Sequence, residues 1–283
     1  MTHALQNLLA TCEDQRSLRE PDQLRQRVEM LDSLEDELFD ATNVGEDLRR
    51  RATAVIDELE AINQAIYRDI QSEIRRGENA SLLKWMRACA ADGLPRGEGY
   101  DALDVLLSGV LPFEAPTGSI AALAPDMVFY QPTPARHIVD AIERLSLNEN
   151  DVLVDLGSGL GHVPLLAAIC SRARCVGIEV EPVYVACAQR CAQALQLSNA
   201  SFLQQNVCAG DFSEGTVFYL YTPFTGDTLR EALDRLAQEA AKRSIRLCTL
   251  GPVTSVIARE PWLISADDLR TDRVAVFASV RSK

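Results

Sequence analysis

Apolar residues recur at three- and four-residue steps through the first part of the chain. Leu24, Val28, Leu31, Leu34 and Leu38 form one run. After a break over residues 41–47, Leu48, Ala52, Val55, Leu59, Ile62, Ile66, Ile70 and Ile74 form another. Such spacing gathers each set on one stripe of an α-helix, with charges on the other faces. Two amphipathic helices with a short link predict an antiparallel hairpin. The same stripes also allow a coiled coil between copies, and so a homodimer through the N-terminal helices. A third helix is expected from Ser81, as its cap, through Leu82, Leu83, Trp85 and Met86 to near Asp92-Gly93. Residues 94–100 break the pattern, and Asp101 caps a short fourth helix over 102–109. Pro112, Pro116, Gly118 and Pro125 punctuate the next segment. They mark a boundary between an all-α helical domain, residues 1–115, and a second domain, residues 116–283.

From Thr133 the period changes. Helical patterns at 134–145, 163–173, 182–197 and 227–243 alternate with short apolar runs at 151–157, 174–180, 200–207, 216–224 and 245–251. Strands alternating with helices of this length predict a parallel α/β sheet. The last run, 273–282, has no helix after it and is expected to be a final antiparallel strand.

Between the first strand and its helix lies Val154-Asp155-Leu156-Gly157-Ser158-Gly159-Leu160-Gly161-His162. Glycines there let the backbone turn sharply and approach a ligand. Glu179 ends the next strand, about 20 residues on, where a carboxylate can accept both hydroxyls of a ribose. Nicotinamide and S-adenosylmethionine folds share these features. The nicotinamide pattern would place its third glycine at His162, whereas here it falls at Gly161. Asp155 separates the two further. An acid at the entry to the loop repels a pyrophosphate and attracts a ligand with an ammonium and a sulfonium. Asp155, Gly157, Ser158, Gly159, Gly161 and Glu179 are therefore expected to bind S-adenosylmethionine.

The Asp-Leu-Gly-Ser-Gly-Leu-Gly segment, the acid after the second strand and the order of elements resemble class I methyltransferases. The resemblance covers about Met127 to Ser282. It implies a Rossmann-like domain with a seven-stranded sheet whose last strand is antiparallel. Within that class, Phe129-Tyr130-Gln131-Pro132-Thr133 and the glycine segment are most similar to the histone lysine methyltransferase family that lacks the SET domain. The family's asparagine-rich motif after the fourth strand is replaced here by Tyr221-Thr222-Pro223-Phe224. Substrate recognition therefore departs from the family where cofactor binding does not.

Other residues carry two readings each. Asn206 ends the third strand, as acceptor for the adenine amino group or as a turn residue. Tyr130 and Thr133 close over the methionine end, or are a packed aromatic and a helix cap. Tyr219 and Tyr221 share one face of the fourth strand. One of them faces the sheet's carboxyl edge, and Tyr221, beside the reacting end, is the catalytic candidate. His162 is a base, or packed at a helix start; Arg136 and His137 read as helix surface. Cys187 and Cys191 lie one helical turn apart without a partner pair, which predicts buried thiols and no metal site.

Bulk composition narrows the function. The chain has 283 residues, a net charge of −13 and eight scattered cysteines. No disulfide framework, secretory signal or apolar run of about 18 residues is visible, so a cytoplasmic location and no membrane span are expected. Most of the acidic excess falls before Ala115, and no basic stripe offers itself to phosphates. The expected activity is transfer of a methyl group to a protein amine or a small-molecule acceptor, not to nucleic acid. The Asp/Asn-Pro-Pro-Tyr motif of many amide and nucleobase N-methyltransferases is absent. Two alternatives stand beside this reading. One is a non-catalytic module that binds S-adenosylmethionine or S-adenosylhomocysteine and signals through the helical domain. The other is a nicotinamide oxidoreductase.

Overall fold

The computed structural model of the chain describes residues 2–40, 45–89, 99–116 and 125–280. These fall into two compact units. One holds the described residues up to Cys89 together with Asp101–Leu111; the other holds Gly99, Tyr100 and the described residues from Pro112 on. Most of the break over 41–47, the helix end at Asp92-Gly93, most of the interruption at 94–100 and Gly118 lie outside the described residues.

The first unit is all α: α1 (Thr2–Asp14), α2 (Leu24–Asp40), α3 (Glu46–Arg75), α4 (Ala80–Cys89) and α5 (Ala102–Val110). Most of the α2 stripe and the first half of the α3 stripe are buried on each other and on α1, which the periodicity left unassigned, while α3 also contacts α4 and α5. Leu5, Leu9 and Cys12 of α1 pack with Leu31 and Leu34 of α2 and with Leu48, Ala52, Val55 and Leu59 of α3. Each fully buried leucine contributes about 1.5–3 kcal/mol. Arg27 is completely buried in this unit. It donates to Asn63 Oδ1 and to the carbonyls of Leu18 and Glu20, each at 2.7 Å. Asp101 caps α5 as expected, accepting from Leu103 N, while Asp104 accepts from Asp101 N. Ser81 does not cap α4. The helix starts one residue earlier, and Ser81 donates from both N and Oγ to the Glu73 carboxylate.

The second unit runs α6 (Ala135–Leu145), β1 (Val152–Leu156), α7 (His162–Cys170), β2 (Arg174–Glu179), α8 (Pro182–Ala194), β3 (Ala200–Gln204), β4 (Val217–Tyr221), α9 (Gly226–Lys242), β5 (Arg246–Leu250), α10 (Val253–Ile257), β6 (Leu263–Ile264) and β7 (Ala275–Ser279). Its seven strands lie in the order β3-β2-β1-β4-β5-β7-β6. The first five strands are parallel, and β7 is antiparallel to β5 and β6. This is the class I methyltransferase sheet that the resemblance implied. α10 and β6 are too short to carry a period, and the sequence pattern missed both. Leu229, Leu233 and Leu236 of α9 cover Leu156, Phe218 and Leu247 of the sheet. His137 is fully buried in α6, not on its surface. Cys187 and Cys191 are buried in α8. Among the described residues no helix is long and apolar enough to cross a membrane.

The strand order reverses between β1 and β4. Connections leave those two strands in opposite directions, so a crevice opens at their carboxyl ends, where ligands of such sheets bind.

Candidate active site

A cavity of about 770 Å³ occupies that crevice. Tyr130, Thr133, Asp155, Gly157, Ser158, Glu179, Asn206 and Tyr221 all line it. Gly159 and Gly161, also expected at the ligand, are not in its wall. They shape the loop instead.

Gly157 and Gly159 both take left-handed φ, +86° and +52°. A Cβ on Gly157 would overlap Pro223, and one on Gly159 would overlap the Tyr130 ring. Loop and neighbours therefore approach as only glycine allows. Gly161 backs onto Phe202 of β3. Gly157 N and Ser158 N both donate to Ile178 O of β2, at 2.8 and 3.0 Å.

Glu179 is bound into this turn. Its Oε2 accepts from Gly159 N at 2.8 Å, and its Oε1 from Val180 N and Glu181 N at 2.8 and 2.9 Å. Asp155 is 5% exposed, and among the described residues nothing donates to its carboxylate. Burial, with the nearby Glu179 charge second, raises its pKa well above 3.8. The Ser158 hydroxyl is also buried without a partner. No Lys or Arg lines the cavity among the described residues. A bare buried carboxylate on a cation-free wall fits an ammonium or sulfonium and opposes a pyrophosphate. S-adenosylmethionine passes this fit and a nicotinamide dinucleotide does not.

Tyr130 lies over the loop. Its hydroxyl is 3.3 Å from His162 Nδ1 and 3.4 Å from Leu160 N, which donates to it. Its ring is tilted against Tyr184 with centroids 5.0 Å apart. Burial drops the His162 pKa to about 4, so the imidazole is neutral at neutral pH. Phe113 packs on it at 4.6 Å between centroids.

Thr133 is not the cap of α6. Pro134 holds that position, and Thr133 Oγ1 is 3.2 Å from Tyr219 OH. Tyr219 is 1% exposed yet reaches the cavity wall; Tyr221, half-buried, lines it further along. The carboxyl edge is thus served by both tyrosines, and the sequence pattern selected only Tyr221. Asn206 Oδ1 accepts from Cys208 N at 2.9 Å. That is the turn role, and a second lone pair still faces other donors. Thr222 adopts φ +42°, and its Oγ1 accepts from Val253 N at 3.2 Å. A threonine held there costs about 1–3 kcal/mol, and it fixes the turn that follows β4. The cavity wall also includes Glu181 and Tyr184, which the sequence reading did not select. Helix α8 brings Tyr184 to the edge, and no motif signals it.

The sequence profile of the family described as "Histone methylation protein DOT1" matches residues 127–220. No curated protein matches the chain. Among solved structures, an RNA methyltransferase from Salinibacter ruber in complex with S-adenosyl-L-homocysteine is 26% identical, over 54% of this chain and 95% of its own, with TM-score 0.44. A precorrin-6y C5,15-methyltransferase from Geobacter metallireducens is 16% identical, over 57% of this chain and 94% of its own, with TM-score 0.41. Strand order, glycine loop and matched profile together make the second unit a class I, S-adenosylmethionine-dependent methyltransferase domain.

Proposed function

We propose that this methyltransferase holds S-adenosylmethionine along the cavity and methylates a protein amine or a small-molecule acceptor, not nucleic acid. The observation that carries the reading is Asp155: a buried carboxylate without a partner, on a wall without Lys or Arg among the described residues. It faces the methionine end, where its charge offsets that of the ammonium and sulfonium. The free lone pairs of Glu179 accept from the ribose, and Asn206 Oδ1 from the adenine amino group. Tyr130 and Thr133 close the methionine end.

When bound, the cofactor supplies a methyl group already activated on sulfur. The chain has only to orient an acceptor in line and keep water out. Tyr221 and the Thr222-Pro223-Phe224 turn form the wall at that end, with a hydroxyl and apolar surface and no charge. A neutral or cationic acceptor suits such a wall. The chain's −13 charge opposes an anionic polymer.

The test offers methyl-labelled S-adenosylmethionine with fractionated cell extract, treated with nuclease in one arm and with protease in another. Label that survives nuclease is the expected result, and label lost only with nuclease overturns the acceptor class. Loss with protease selects a protein amine, and survival of both treatments selects a metabolite. S-adenosylhomocysteine binding with no label transferred in any arm would favour the non-catalytic module.

A further inference from the structure

Tyr219 has no part in the cofactor contacts proposed so far, yet its placement asks for one. It lies in β4, directly in register with Asp155 of β1, and both side chains reach the cavity wall. A phenol oxygen buried this deeply needs a hydrogen-bond partner. Its partner is Thr133 Oγ1, 86 positions earlier in the chain and also at the wall. Burial keeps the phenol protonated across the whole working range. Phenol is the better donor of the pair, so the bond runs from Tyr219 to Thr133. The threonine's own hydrogen is then left for a third group. Among the described residues Thr133 Oγ1 makes no hydrogen bond other than the one to Tyr219. What remains in front of Thr133 is the cavity.

The cavity needs such a donor. The cofactor's methionine end carries a carboxylate as well as an ammonium, and Asp155 serves only the cation. With no Lys or Arg in the wall among the described residues, the carboxylate depends on neutral donors. We infer that Tyr219 is a positioning residue, its phenol holding the Thr133 hydroxyl hydrogen toward the carboxylate of the bound cofactor. This rests on the cofactor placement proposed above.

Two probes separate the possibilities: S-adenosylhomocysteine, and 5′-methylthioadenosine, which lacks the amino-acid carboxylate. Calorimetry would compare wild type, Tyr219→Phe, Thr133→Val and the double variant. One net hydrogen bond is worth about fivefold in affinity. Each single variant should weaken S-adenosylhomocysteine by about that factor. The double variant should be no weaker than Thr133→Val alone, because the two residues act through one hydrogen. Binding of 5′-methylthioadenosine should not change in any of them. Unchanged S-adenosylhomocysteine affinity in Tyr219→Phe overturns the inference. So do strictly additive losses, or equal losses with both probes, which mark a merely structural role. If wild type binds neither probe, the cofactor placement itself is wrong.

Discussion

Asp155, one residue before the end of β1, and Glu179, the last of β2, lie on neighbouring strands and are almost equally buried, at 5% and 8% exposure. Their surroundings are opposite. Glu179 accepts from three backbone N–H groups, and nothing among the described residues donates to Asp155. The first carboxylate is part of the fold, because it ties the glycine loop to the end of β2. The second costs the fold stability, since a buried charge without a partner is penalised by several kcal/mol. Such a group persists where a ligand supplies the missing charge.

The largest effect is expected from Gly159→Val, which breaks the Glu179 side of the contrast. A valine at φ +52° is strained, and its side chain displaces the Tyr130 ring. The loop and the Tyr130 ring both lose their seats, so S-adenosylhomocysteine affinity by calorimetry should fall more than about hundredfold, the equivalent of roughly 2.7 kcal/mol. Retained affinity would mean that the loop does not shape the site.

Asp155→Asn comes next. Loss of a charge-assisted interaction should weaken the same probe about 30-fold, since such bonds are worth about 1.5–3 kcal/mol. The melting temperature of the free protein should hold or rise, because the bare charge is gone. Glu179→Gln should behave the other way in stability. An amide there turns an N–H toward a backbone donor, at a cost of about 1–3 kcal/mol and a drop of several degrees in Tm. If both variants shift Tm alike, the contrast between the two carboxylates is not real.

Acidification sharpens the same contrast. The folded-state pKa of Asp155 lies well above 3.8. As pH falls through that raised value the carboxylate takes up a proton and affinity for S-adenosylhomocysteine declines; Asp155→Asn should remove this dependence. Stability moves oppositely. A raised folded pKa means that the folded state binds the proton more tightly, so wild type should gain stability relative to Asp155→Asn over the same fall in pH. Paired titrations of binding and of denaturation midpoint read both signs. The smallest effect is expected at Asn206→Ala. It removes the cap on Cys208 N and one acceptor near the adenine, for about 0.5–1 kcal/mol in stability and a two- to fourfold loss in affinity. A larger loss would raise Asn206 from turn residue to principal adenine contact.

Much of the site was legible because a few positions tolerate one residue type only. Gly157, Asp155 and Glu179 sit in a strand–loop–helix stretch and one strand end, where local geometry dictates chemistry. The long helices α2 and α3 were legible because their stripes repeat over many turns. α1 was overlooked although Leu5, Leu9 and Cys12 keep the spacing, since three positions hardly exceed chance. Ser81 reads as a cap, and Thr133 as either a cap or a contact at the methionine end; a cap is the common use of a hydroxyl before a helix. Glu73 claims the first and Tyr219 the second.

By itself the sequence determined the alternation of strands and helices, the glycine turn and the acid that favours a cationic ligand. Those follow from periods and from spacings within about 30 residues. Tertiary structure decided which tyrosine meets Thr133, because Tyr219 and Tyr221 share one strand face and period two cannot tell them apart. It also decided that Glu179 is held by the backbone and Asp155 is left bare. That difference depends on how the Gly157–Gly161 turn folds back over β2, a matter of packing between strands that no local pattern records.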